Sequence, residues 1–107
     1  MILTTLEQVP AHTIVEHYGV VSGSTVRAKH IGKDFLAGFK NIIGGELKGY
    51  TELMEETRDQ SVGRMKEQAM RKGANAILGV RFATSDVAPG AAEVFAYGTA
   101  VKVTPHG

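Results

Sequence analysis

The residues best suited to chemistry in this sequence are its four histidines, which could ligate a metal ion: His12, His17, His30 and His106. On a shared strand, the odd spacing of His12 and His17 points them to opposite faces, so they cannot chelate one ion together. His12 and Glu16 would share a face, but about 13 Å of strand separates them. The histidines are therefore scattered over surfaces and interfaces, or each copy of the chain contributes one His17 to a metal site around an axis.

A row of carboxylates offers a second possible metal site: Glu46, Glu52, Glu55, Glu56 and Asp59. It resembles the carboxylate ladder of a di-metal helix bundle, but such bundles add a histidine three residues after a glutamate, and none is found here. Basic residues crowd the other end of the same segment, namely Arg64, Lys66, Arg71 and Lys72. Acid before base is the order that a helix dipole favours. The pattern predicts a solvated helix face.

Four further residues could bind a ligand between subunits: Glu46, Tyr50, Arg58 and Arg81. Arg81 falls in a segment that is otherwise apolar or small. Charged residues in such settings are usually paired, often across an interface. Structural pairing and ligand contact at a subunit boundary both remain open. An enzyme with an active site between subunits would use Glu46, Arg58 and Arg81.

Two other kinds of site have less support. The basic run of Arg27, Lys29, His30 and Lys33 precedes a predicted helix and could hold a phosphate or carboxylate, or be a plain charged loop. No glycine pattern of a phosphate-binding loop is found. No serine lies in a glycine-flanked elbow, so nucleophilic catalysis is not expected.

The bulk composition narrows the function further. The 107 residues suffice for one domain, spanning residues 1–107, and the net charge of +1 gives no basic excess for nucleic acid. With no cysteine, a disulfide framework and a thiolate metal cage are both ruled out. No segment has the roughly 20 apolar residues that span a membrane, and the first residues lack a signal-peptide pattern. The sequence favours a protein of the cytoplasm, with no nucleic-acid or membrane partner.

The elements that must position these residues follow from periodicity. Residues 12–27, rich in β-branched side chains, predict a long strand, and Gly19 and Gly23 predict a bulge or a close backbone approach within it. Residues 32–43 predict a helix that ends at Gly44. A second helix should run from there to Lys72, with Gly73 as its left-handed stop. Residues 76–85 and 92–103 alternate as strands, and Met1–Leu6 could form a short edge strand that ends at Pro10.

The predicted fold class is α+β, a β-α-β-β subunit. Its three strands form an antiparallel sheet in the order 1-3-2, with the helices packed on one face. The other face still carries apolar side chains, and no segment is left to cover it. Another copy of the chain is the natural cover.

Several glycine-rich segments resemble those of a known family. They are Ile42 to Leu47, which contains Gly44 and Gly45; Gly73 to Phe82; and Gly19 to Gly23, together with Tyr50, Leu53, Arg58, Ala69 and Leu3 to Thr5. The sequence is similar in these segments, over roughly residues 2–103, to the YbjQ-like family of small uncharacterised proteins.

The resemblance implies a dodecin-like subunit that assembles as a homopentamer. The family carries a heavy-metal-binding label with no established activity and no ligand set that transfers to this chain. We therefore expect a ring-shaped, non-enzymatic homo-oligomer that binds a divalent metal ion or a small ligand. The alternatives are a structural platform for a partner protein and an enzyme with an inter-subunit site.

Overall fold

The computed structural model describes residues 1–28, 47–88 and 91–106. Its elements are the strands β1 (Ile2–Leu3) and β2 (His12–Ala28), the helix α1 (Leu47–Arg71), and the strands β3 (Ala76–Ala88) and β4 (Ala91–Pro105). The helix predicted for residues 32–43 and its stop at Gly44 lie outside the described residues, as do Glu46, His30 and most of the basic run. The α+β class holds for the part that is described.

The sheet has four strands in the order β1-β3-β4-β2. This corrects the prediction of a three-stranded, wholly antiparallel sheet. β4 pairs antiparallel with both β3 and β2, but β1 pairs parallel with β3 at the sheet edge. The added strand is held by backbone bonds such as Ile2 N–H to the Asn75 carbonyl at 3.0 Å. The short edge strand expected within residues 1–6 is therefore present, although the predicted strand order left it out.

β2 is irregular in its first half. Its register against β4 shifts between Ile14 and Glu16 and again between His17 and Gly19. Gly19 has a φ of +89°, a left-handed conformation that a Cβ would disfavour. The bulge predicted at Gly19 is thus confirmed, and each shift moves the following side chains to the other face of the sheet.

Helix α1 packs on β2 and β4 and scarcely touches β3. Its buried residues lie four apart: Thr57, Ser61, Met65 and Ala69. They meet a core made chiefly of small and branched side chains, namely Val21, Ala74, Ile77, Val80, Ala96 and Ala100. One side of the helix therefore faces the sheet.

The helix comes close to β2 at Gly23. A Cβ there would collide with the Ser61 carbonyl oxygen and the Met65 amide nitrogen, and would lie 2.8 Å from the Arg64 Cβ. Only a residue without a side chain permits this approach. The second glycine predicted to allow a close contact therefore does so.

The helix ends as the glycine pattern predicts. Gly73 has a φ of +93°. The Ala74 N–H donates to the Ala69 carbonyl at 3.1 Å and the Gly73 N–H to the Met70 carbonyl at 3.0 Å. These are the two bonds of a Schellman motif, which turns the chain from α1 into β3.

The face of the sheet turned away from α1 has two unlike halves. At one end Val9, which lies between β1 and β2, covers Ala76, Leu78, Val101 and Val103. The expectation that nothing in the chain covers this face is wrong for that half. Beyond it the face carries exposed apolar side chains, and we call that remaining half the open face. By the register it holds Val20, Ser22, Ser24, Val26, Arg81, Ala83, Ser85, Glu93, Phe95, Tyr97 and Thr99.

Candidate functional site: the open face of the sheet

The open face carries exposed apolar side chains around an aromatic pair. Val20 is 74% exposed, Val26 53% and Tyr97 37%. Phe95 and Tyr97 are two residues apart on β4, so they share this face, and their ring centroids lie 5.7 Å apart at 37°. On β2, Ser22 and Ser24 lie beside this pair, with Val20 and Val26 at the two ends of the same stretch. Exposed apolar side chains on a flat surface are typical of an interaction site.

Arg81 stands at the border of the aromatic pair. The register places it directly opposite Tyr97. Its Nη1 donates to the carbonyl oxygens of Thr5 at 3.0 Å and Val80 at 2.9 Å. Arg81 thereby ties the N-terminal segment to the outer edge of β3. The guanidinium has five N–H donors, so Nε and Nη2 can serve a further partner.

His17, the predicted metal ligand, also lies on this side of the sheet. It is exposed and pairs in the register with Val101. Within residues 1–28, 47–88 and 91–106, no group of three histidine, aspartate or glutamate side chains could hold a metal ion. With no cysteine in the sequence either, the described residues of one copy do not fit a heavy-metal ion.

The other predicted ligand residues are spread over the molecule. Arg58 is half-buried on α1, whereas Arg81 is on β3, the strand that α1 scarcely touches. Tyr50 lies in the first turn of α1, and Glu46 falls outside the described residues. Nothing in the described chain brings these residues together, so a site built from them between subunits stays a prediction.

The acidic and basic halves of α1 are solvent-exposed as predicted. Glu52, Glu55, Glu56 and Asp59 are all exposed. The pair of Glu67 and Arg71 lies 3.5 Å apart, with side chains 63% and 75% exposed. Ion pairs this exposed contribute little to stability.

Two features of the structure were not predicted. The first is the aromatic pair on the open face with Arg81 beside it. The spacing of Phe95 and Tyr97 could have indicated this pair, because residues i and i+2 share a face of a strand. The second is the cover that α1 gives to the free edge of β2. The Ser22 N–H donates to Gln68 Oε1 at 2.8 Å, and Arg64 Nη1 donates to the Ser24 carbonyl. These two contacts join residues more than 35 positions apart, and a local sequence pattern does not indicate such contacts.

Among the described residues, no helix is both long enough and apolar enough to cross a bilayer. Helix α1 carries charged residues along its whole length, which accounts for this result.

Comparison with known proteins gives one consistent answer. Residues 1–104 match the model of the YbjQ family, described as "Putative heavy-metal-binding". A UPF0145 protein of Hahella chejuensis is 60% identical over 101 residues, which is 94% of this chain and 97% of the relative. A UPF0145 protein of Thermus thermophilus is 52% identical, covering 98% of this chain and 92% of the relative.

A solved structure from Pediococcus pentosaceus, titled as a protein with unknown function of the DUF74 family, superposes with a TM-score of 0.62. It covers 97% of this chain and 98% of its own at 18% identity. A likeness at that identity supports the fold alone.

Proposed function

Because this chain belongs to the YbjQ family, we propose that it is a non-enzymatic subunit of a ring-shaped homo-oligomer whose binding sites form where copies meet. The observation that carries the proposal is the open face, an apolar surface with an aromatic pair at its centre. A buried interface core has this composition. The fivefold copy number and the cytoplasmic location belong to the proposal and rest on the family resemblance and on the absence of cysteine.

Sedimentation of the purified protein at micromolar concentration tests the proposal. We expect a single oligomeric species. A Val20→Lys variant should dissociate, because it places a charge among the exposed apolar side chains of the open face. Leu6→Lys is the matched control, since Leu6 is 52% exposed on the N-terminal segment outside the open face. A monomeric wild-type protein would refute self-assembly. Equal dissociation of both variants would refute the role of the open face.

Metal binding at His17 is the second candidate, favoured by the exposed position of this imidazole on the side of the open face. The described residues of one copy do not supply enough ligands, so the ion would be shared between copies. Native mass spectrometry of protein incubated with Zn²⁺, Ni²⁺ or Co²⁺ should then show uptake by the oligomer. Uptake should disappear in His17→Ala and persist in His106→Ala. Uptake unchanged in His17→Ala, or no uptake at all, would exclude this site.

A further inference from the structure

Helix α1 contains a glycine, Gly63, that no contact among the described residues requires. Gly63 is two residues from both Ser61 and Met65, so at 3.6 residues per turn it lies on the side of the helix opposite the buried face. Among the described residues, a Cβ at this position would meet nothing within 4 Å. Glycine in the middle of a helix costs about 0.5–1 kcal/mol relative to alanine. The contacts of the described chain offer no compensation for that cost.

The residues in line with Gly63 give this side of the helix a definite character. Glu56, Asp59, Gly63, Lys66 and Met70 follow each other at spacings of three and four, and form what we call the outer ridge. Both carboxylates are exposed, Lys66 is half-buried, and Met70 is 57% exposed. The ridge thus offers negative charge, then a flat site without a side chain, then a lysine and an apolar group.

The open face offers the complementary set of groups. Tyr97 presents an aromatic ring beside Phe95, and Val20 adds a further apolar side chain. Arg81 lies directly opposite Tyr97, with its Cα about 5 Å from that of Tyr97. Along the helix axis, Asp59 is about 6 Å and Glu56 about 10 Å from Gly63. When the aromatic ring of Tyr97 lies over Gly63, the long Arg81 side chain is therefore within reach of the Asp59 and Glu56 carboxylates.

We propose that the outer ridge of α1 is the docking site for the open face of a second copy of this chain. Tyr97 of the partner subunit lies over Gly63, and Arg81 of the partner subunit faces Asp59 and Glu56. The inference rests on the proposed self-assembly and names the two surfaces that meet. Since these surfaces differ, each copy has one of each to offer. Such head-to-tail contacts form a ring when the rotation between successive copies closes.

Cysteine crosslinking tests the contact directly, because the chain has no cysteine of its own. The variants Gly63→Cys and Tyr97→Cys are purified separately, mixed, exchanged and mildly oxidised. Docking as proposed brings the two positions together, and a disulfide forms only when the Cα atoms are about 4.4–6.8 Å apart. We expect a crosslinked dimer in the mixture and none in either variant alone. Arg71→Cys mixed with Tyr97→Cys is the control and should stay uncrosslinked.

The outcomes separate this inference from the proposed function. If Tyr97→Cys crosslinks to itself, the open faces meet each other and the outer ridge is not the partner surface. If the protein is oligomeric but the mixture does not crosslink, the inference is wrong and self-assembly stands. A monomeric wild-type protein overturns both.

A second variant, at Gly63, should have opposite effects on the stability of the helix and on the assembly of the oligomer. Gly63→Gln should stabilise the isolated helix, since glutamine is a better helix former. It should also fill the flat site and raise the dissociation constant of the oligomer at least about tenfold. A glycine needed only for the fold would give the reverse, a less stable subunit with unchanged assembly. That result would overturn the inference.

Discussion

At the scale of single residues, the contact between helix and sheet depends on Gly23. We expect Gly23→Ala to lower the free energy of unfolding by about 1–3 kcal/mol, because the new Cβ meets backbone atoms of α1 that cannot turn aside. Urea denaturation followed by circular dichroism measures the change. Ser22→Ala, at the neighbouring exposed position, is the control and should change stability by less than about 0.5 kcal/mol. Equal effects of the two variants would contradict this account.

Asn75 joins the start of β3 to the end of β4. Its Nδ2 donates to the Val103 carbonyl at 2.9 Å, and its Oδ1 accepts from the Val103 N–H at 2.8 Å. Asn75→Ala should cost about 1–3 kcal/mol, because two half-buried backbone groups lose their partners. Asn75→Asp retains the acceptor, so its stability in urea denaturation should lie between those of Asn75→Ala and the wild type. An alanine variant as stable as wild type would show that water replaces both bonds.

The structural roles of Gly23 and Gly73 could be predicted from the sequence, because glycine tolerates conformations and contacts that other residues do not. The face on which a side chain lies after a bulge could not be predicted. Simple alternation along β2 would put Tyr18 and Val20 on one face, but the register shift between His17 and Gly19 separates them. Tyr18 packs against the helix-side core, and Val20 is exposed on the open face. The position of a bulge depends on pairing with a distant strand, which the local pattern does not contain.

At the scale of elements, the C-terminal end of α1 depends on the conformation of one residue, Gly73. Gly73→Ala should lower stability by about 1–2 kcal/mol, because a Cβ is unfavourable at a φ of +93°. The nearest neighbour of that Cβ, the Tyr18 hydroxyl, would lie at an ordinary 3.4 Å, so strain and not crowding is the cause. Gly73→Asn should cost less, since asparagine tolerates the left-handed region. Thermal denaturation of both variants checks the order; equal losses would indicate crowding.

The free edge of β2 is protected by the helix. Gln68 accepts from the Ser22 N–H and Arg64 donates to the Ser24 carbonyl, so these backbone groups are not open to a strand of another molecule. The double variant Arg64→Ala and Gln68→Ala should lose about 1–3 kcal/mol of stability and aggregate faster. Light scattering during incubation measures aggregation. The double variant Glu67→Ala and Arg71→Ala removes an exposed ion pair nearby and should behave as wild type.

The elements themselves differed in how far they could be predicted. Helix α1 and the long strands have many residues each, so their periodicities are unmistakable. β1 has two residues and exists only because β3 offers it an edge. Val9, likewise, gives no sign in the sequence that it covers the second face of the sheet. Where the candidate site was concerned, the pattern predicted an apolar second face but could not show that only half of it remains open.

At the scale of the whole molecule, an oligomer and a monomer differ in how stability depends on concentration. If unfolding includes dissociation, a hundredfold rise in chain concentration stabilises the folded chain by about 2 kcal/mol. We therefore expect the urea midpoint to rise between about 1 and 100 μM. Tyr97→Lys should abolish this dependence, because it places a charge at the centre of the contact, while its half-exposed position spares the core. A wild-type urea midpoint that is the same at both concentrations would mean that copies of the chain do not associate through the open face. Its exposed apolar residues would then need another partner.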